Sequence, residues 1–342
     1  MNPTTAQKPG VSIVATSVRY PRGIVDNETL GAEIGLQPKV IERLTGIQKR
    51  PHLAAGETLQ DLAADACEEA ILSSGLDPSN LDLMIFYTDV PTTMPENGRT
   101  LRRYYDVGAH LQHLLRQRGL EVGGQSFNIA GSCVSFLLAL EVACGMVRTR
   151  ARQGVLIVGA TNNSFFLKDA DVNTVMTFSD ATAATVLAAT EKPGFLGFWG
   201  RTDGRGFDAG YYEDYRTLWI DRKRVAEYAP RAMQLAWHGL LQSSGLSPGE
   251  IDLVIPHQAG LRIVEKGLEL AGIPQEKVFL CLRDHGNSGA TAIQAALGEA
   301  GRQGRLQDGA VIALLGFGTG WHCGAAVFRH HSRPLPAVGS FR

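Results

Sequence analysis

One fifteen-residue stretch of this chain occurs twice. Residues 73–87 read SSGLDPSNLDLMIFY and residues 243–257 read SSGLSPGEIDLVIPH, an offset of 170 with eight of fifteen positions identical. A helical apolar pattern precedes each copy, TLQDLAADACEEAIL in one case and YAPRAMQLAWHGLLQ in the other. Gly75 and Gly245 suit the left-handed residue that ends a helix. LDLMIFY and IDLVIPH then read as buried strands. The parallel continues downstream. NIAGSCVSFLLALEVA followed by GVLIVGATN matches DHGNSGATAIQAALGEA followed by GAVIALLGFGTG: a small-residue turn, a helix, and an apolar strand. Two copies are too few for a solenoid. They predict two similar α/β halves packed about a pseudo-twofold, with helices covering the sheets. The halves are expected at 11–191 and 192–330, divided at Lys192-Pro193-Gly194. Segment 95–124, with Arg99, Arg102, Arg103, Tyr104, Tyr105, Arg116 and Arg118, has no partner in the second half. It is predicted to be an insertion forming an amphipathic helix or two.

A length of 342 residues suffices for two such halves sharing a core. The net charge of −1 argues against a nucleic-acid-binding surface over the whole protein. No apolar run is long enough to cross a bilayer, and the polar opening MNPTTAQKPG carries no signal-like apolar stretch. The five cysteines are scattered and form no C-x-x-C pair. This points away from a disulfide framework or zinc site and towards a reducing, cytoplasmic setting. No metal site is expected; His330 and His331 read as part of a solvated tail.

Four features fall at predicted element ends. Cys133 stands where a helix begins, and a helix N-terminus lowers a thiol pKa. Ala130, Gly131 and Ser132 leave room beside it. Cysteine is also commonly buried, so the stretch alone leaves both readings open. His257 ends the repeated strand where the first half has Tyr87, so the repeat does not require a histidine there. Asn287 sits between Gly286 and Gly289 at a helix start, where a capping role would also explain it. GFGTGWHCG, residues 316–324, ends the last strand with too little chain after it for a dinucleotide-binding unit. Such a loop can instead bring a backbone N–H close to a reacting carbonyl. A cysteine, a histidine and an amide directed to one centre suit acyl transfer through a thioester.

With these pieces assembled, the chain resembles the thiolase-like condensing enzymes, specifically the β-ketoacyl-ACP synthase III group. The matching segments are NIAGSCVSF, PHQAGLRI, HGNSGATA and GFGTGWHCGAAV, with RLTGIQKR (43–50) and FSDATAATVLAA (178–189) in the family's order. The resemblance implies a five-layered αβαβα fold built from two duplicated halves, and a homodimer. It implies Cys133 as acyl-accepting nucleophile and the backbone N–H groups of Cys133 and Thr319 as oxyanion hole. His257 and Asn287 would hold the second thioester's carbonyl as an enolate. Phe317, Gly318, Gly260, Arg262 and Met94 are the implied substrate- or carrier-contacting residues, Arg262 at the tunnel mouth. Substrates would be thioesters on coenzyme A or on the phosphopantetheine of an acyl carrier protein: an acyl donor and a malonyl- or β-ketoacyl-type extender. No separate cofactor, nucleic acid or membrane is implied.

Departures from the family pattern point to a specialised member in secondary metabolism or fatty acid and polyketide synthesis. Val40 replaces the tryptophan that stacks on adenine, Gly260 replaces an asparagine, and segment 95–124 is long. Some relatives use a glutamate reaching from the partner subunit as base, and Glu96 is the nearest candidate. A second reading keeps the scaffold and passes the Cys133-bound acyl group to an alcohol or amine. A third is a non-catalytic partner subunit. Cys67, Cys144 and Cys281 are predicted to be structural.

Overall fold

The computed structural model describes residues 10–89, 94–96, 100–102, 107–213 and 217–332, with segments 94–96 and 100–102 described by backbone alone. Two sheets form its framework. The first holds β1 (Gly10–Arg19), β2 (Leu81–Tyr87), β3 (Gln125–Ile129), β4 (Gly154–Asn162) and β5 (Asp180–Thr190) in the order β1-β5-β4-β2-β3. The second holds β6 (Phe195–Gly206), β7 (Leu253–Pro256), β8 (Val311–Gly318) and β9 (Gly320–Arg329) in the order β6-β9-β8-β7. The orders correspond strand for strand, except that β3 has as its counterpart a single bridge between Val254 and Val278.

The repeated sequence does the same structural work twice. Helix α1 (Leu59–Ser74) ends at Gly75 with φ 67°, and α4 (Arg222–Ser244) ends at Gly245 with φ 72°. A residue with a side chain pays a steric cost at such angles, and glycine does not. A short 3-10 turn follows in each half, Pro78–Asn80 and Pro248–Glu250. The aspartate common to both copies then ties down the neighbouring parallel strand. Asp82 accepts from the Gln153 N–H at 3.1 Å, just ahead of β4, and Asp252 accepts from the Val311 N–H at 2.8 Å, the first residue of β8. The identities at positions 82 and 252 therefore reflect one recurrent bond, which fixes the register of each β2–β4-type pair.

Strand periodicity sorts the side chains into layers. Leu83, Ile85 and Tyr87 of β2 face a central layer made by α3 (Ser135–Arg148) and α6 (Ala292–Arg302), as do Leu253 and Ile255 of β7 and Ile312 and Leu314 of β8. Met84 and Phe86 turn to the opposite face, beneath α1 and α2 (Val107–Gln117). Val254, Ala313 and Leu315 turn outward under α4 and α5 (Leu261–Ala271). The result is the αβαβα arrangement of a thiolase-like fold. A buried polar bridge joins the halves: Gln294 on α6 bonds to the Tyr87 hydroxyl, the Ile157 carbonyl and the Thr185 hydroxyl. Within 95–124 the described residues contain one helix, α2, after a short hairpin of Met94–Glu96 with Thr100–Arg102. Its Leu111 and Leu115 are fully buried against α1, and Arg118 beyond it pairs with Asp65 and Glu68.

Candidate active site

The turns that lead into the two central helices meet: Ser132–Val134 before α3 and Gly289–Thr291 before α6. Cys133 lies in the first of them, so it precedes the α-helix proper, which starts at Ser135. Ser132 adopts φ 52°. Hydrogen bonds hold it there: the Gly131 N–H donates to Ser135 Oγ at 2.9 Å, and that hydroxyl donates to the Ser132 carbonyl at 2.7 Å. The glycine loop closes on this turn. A β-carbon at Gly318 would stand 2.9 Å from Cys133 N and 3.0 Å from Ser132 Oγ, so the approach depends on the bare backbone. Thr319 anchors the contact through its hydroxyl, 3.0 Å from Ser132 Oγ.

His257 follows the last residue of β7, and its backbone N–H donates to the Leu315 carbonyl at 2.7 Å. Its ring is buried, stands edge-on to Phe317 at 4.9 Å between centroids, and has no partner at Nδ1 among the described residues. Burial lowers its pKa to about 4, so the imidazole is neutral at neutral pH. Phe317 is thus a packing partner of His257, itself 3 % exposed, and does not border the cavity described next.

Asn287 is held by its backbone between Thr177 and Ser179, and its Oδ1 accepts from the Gly289 N–H at 3.0 Å. The side chain therefore closes the turn, as a capping residue would, and still borders a cavity of about 270 Å³. The cavity's walls include Leu44, Thr45, Phe178, Ile220 and Gly260. Arg222 and Arg262, both exposed, bring two cations to its outer end. Arg262 and Gly260 are among the residues the resemblance implied as substrate or carrier contacts; Arg222 is not. Met94 and Glu96 lie on a strand whose side chains are outside the described residues, as are Tyr104 and Tyr105 altogether.

Sequence reading missed Asp89 entirely. It follows β2 by two residues, and its Oδ2 accepts from the Ala290 N–H at 2.7 Å and lies 3.9 Å from Cys133 Sγ. The available signal was positional: a carboxylate just past the C-terminal end of a parallel strand, where α/β proteins gather functional groups. Burial raises its pKa to about 6 against the Ala290 hydrogen bond. Cys133 departs from expectation in the same direction. Burial, then the charge of Asp89, push its thiol well above the ordinary value. A full negative charge beside the sulfur outweighs the roughly half charge of a helix end that starts two residues later.

Known proteins with the same architecture can be compared with this geometry. The 3-oxoacyl-[acyl-carrier-protein] synthase III family model matches residues 127–204, and the model of its C-terminal part matches 241–330. A β-ketoacyl-[acyl-carrier-protein] synthase III of Aquifex aeolicus (strain VF5) is 29 % identical over 322 residues, 94 % of this chain and all of that one. The crystal structure of 3-oxoacyl-[acyl-carrier-protein] synthase III from that organism superposes with a TM-score of 0.84 at 28 % identity, again over 94 % of this chain and 100 % of the other. The Thermus thermophilus β-ketoacyl-[acyl-carrier-protein] synthase III structure gives 0.84 at 27 %, covering 94 % and 99 %.

The chain is a homologue of the synthase III condensing enzymes.

As such it is an enzyme of the acyltransferase type on a thiolase-like fold. In this synthase III homologue the remaining cysteines sit in different surroundings from Cys133. Burial pushes the Cys67 and Cys281 thiols up to about 12 and that of Cys144 up to about 11, and no carboxylate among the described residues hydrogen-bonds to any of the three. No helix among the described residues is long and apolar enough to cross a membrane.

Proposed function

We propose that this enzyme loads an acyl group from a coenzyme A or acyl-carrier-protein thioester onto Cys133. It then condenses that group with a malonyl-type thioester that has lost carbon dioxide. The observation carrying this reading is the closure of the glycine loop on the cysteine turn. Gly318 brings the strand end against Cys133 N, so the N–H groups of Cys133 and Thr319 can share one oxyanion. Phe317, the preceding residue, carries His257 on its face, and Asn287 borders the cavity that admits the substrate arm. Arg222 and Arg262 suit the phosphates of coenzyme A or an acidic carrier protein. His257 and Asn287 would bind the extender's thioester carbonyl as it becomes an enolate, and the resulting carbanion would attack acyl-Cys133. The resemblance also implies a homodimer, and β3 stands at the end of the first sheet's strand order, where a second copy could continue it. Val40, Gly260 and the long 95–124 segment favour a specialised acyl product over housekeeping chain initiation.

The test is to incubate the protein with acyl-CoA donors and malonyl thioesters, following intact mass, peptide mapping and carbon dioxide. The expected result is an adduct on Cys133, with carbon dioxide released when extender is added. Discharge of the adduct to an alcohol or amine without carbon dioxide would instead establish acyl transfer and refute condensation. A further expectation follows from the loop. Gly318→Ala must displace either the cysteine turn or the loop, because the new methyl meets backbone nitrogen at 2.9 Å. Misplacing the oxyanion donors by such an amount should slow Cys133 loading by ~100-fold. Single-turnover mass spectrometry checks it, and a loading rate within a few-fold of wild type would show that the loop plays no such part.

A further inference from the structure

We infer that Asp89 is a catalytic residue, the general base that takes the proton from Cys133 during acyl loading. The inference rests on the reading of Cys133 as acyl acceptor and names a group that this reading leaves without a function. The geometry carries it. Oδ2 is 3.9 Å from Cys133 Sγ, near the outer limit of a thiol hydrogen bond to a carboxylate and within the looser reach of a base in an unliganded site. The same oxygen is fixed by the Ala290 N–H at 2.7 Å, on the turn that abuts the cysteine turn, so the carboxylate is aimed rather than loose. Oδ1 is buried and has no hydrogen-bond partner among the described residues. No cationic side chain among the described residues pairs with Asp89. The titratable groups facing it are Cys133 itself and the phenols of Tyr87 and Tyr212, both held protonated by burial. A buried carboxylate without a counter-ion costs stability, and here it stands beside a thiol that must lose a proton.

Among the described residues of the site, His257 is the other candidate base. His257 is too weakly basic for the task, since burial holds its pKa at about 4, whereas Asp89 titrates at about 6, near working pH. The step balances. Oδ2 accepts the thiol proton as Sγ bonds to the donor's carbonyl carbon. The tetrahedral intermediate collapses by breaking the bond to the donor's sulfur. That departing thiolate takes the proton back from Asp89, which leaves free thiol, acyl-Cys133 and a regenerated carboxylate. The developing charge is thereby never left on sulfur in an apolar site.

The experiment measures single-turnover loading of acetyl-CoA and octanoyl-CoA by intact mass, from about pH 4.5 to about pH 8.5, in wild type and Asp89→Asn. The amide oxygen of Asn can still accept from the Ala290 N–H, so the turn is retained. Wild-type loading should climb through about pH 6 and level off. The variant should load roughly 100-fold more slowly at neutral pH, with no rise in that range. Equal rates in the two proteins, or faster loading in the variant because a repelling charge has gone, would overturn the assignment of Asp89 and leave the functional reading intact. If the variant does not fold, the wild-type profile decides alone: a rate that stays flat until the thiol's own alkaline range overturns the inference. Failure of every donor to label wild-type Cys133 at any pH refutes the functional reading and, with it, this one.

Discussion

A His257→Ala variant is expected to load Cys133 within a few-fold of the wild-type rate and to lose condensation by ~1000-fold. The two half-reactions need different groups. Loading, as proposed, would place the donor's carbonyl oxygen against the N–H groups of Cys133 and Thr319, which a side-chain truncation at position 257 leaves in place. Condensation, as proposed, would build an enolate on the second thioester, with the neutral imidazole as its donor. Its burial fixes the protonation state. With a pKa of about 4 the ring is uncharged over the whole working range, so it donates a hydrogen bond without acting as a permanent cation. The cost of deleting it is that of removing a preorganised oxyanion donor from a dry site, plus the loss of its edge-on contact with Phe317. Carbon dioxide release from a malonyl thioester measures the condensing half-reaction, and intact mass measures loading. Equal and complete loss of both, in a variant that melts near the wild-type temperature, would sink the division of labour.

How much of this was legible in the sequence depends on which interactions are local. The repeat predicted the architecture because its own residues make short-range structure: glycines that end helices, a turn with proline at its first position, and an aspartate that fixes the next strand. Cys133, His257 and Asn287 were legible for a related reason, since each ends an element whose pattern is visible. The electrostatics of the site were not. A helix-end argument predicts a lowered thiol pKa at Cys133, and the structure raises it, because burial and Asp89 come from elements 40 or more residues away in the chain. Asp89 was invisible for the same reason. Nothing in YTD distinguishes a carboxylate facing solvent from one tucked against Ala290, 201 residues later. Phe317, implied by the resemblance as a substrate or carrier contact, has its ring turned outward by strand alternation onto His257, under α4 and α5, a packing that its place in the loop does not reveal.

The charge on Asp89 should also be measurable as a stability cost. Its carboxyl titrates at about 6 in the folded protein against an ordinary value of 3.8, so the folded state binds the proton more tightly than the unfolded chain does. Between those two pH values the folded state holds more protons, and unfolding free energy falls as pH rises. The cost is therefore absent below about pH 4, grows through the interval, and is fully present above about pH 6. Asp89→Asn removes the charge and keeps the acceptor for Ala290. It should be more stable than wild type at pH 7.5 by at most ~3 kcal/mol, and no more stable at pH 4. Urea unfolding of the two proteins at both pH values measures the difference. A gap independent of pH, or a variant less stable at pH 7.5, would mean that the carboxylate is compensated in the folded state. The pairing with the loading experiment is informative because a purely structural residue and a base predict opposite signs. A structural anchor loses stability on substitution and leaves the pH profile of loading alone. A carboxylate kept uncompensated beside a nucleophile gains stability on substitution and loses rate, the trade expected where a site holds an unfavourable charge for its chemistry.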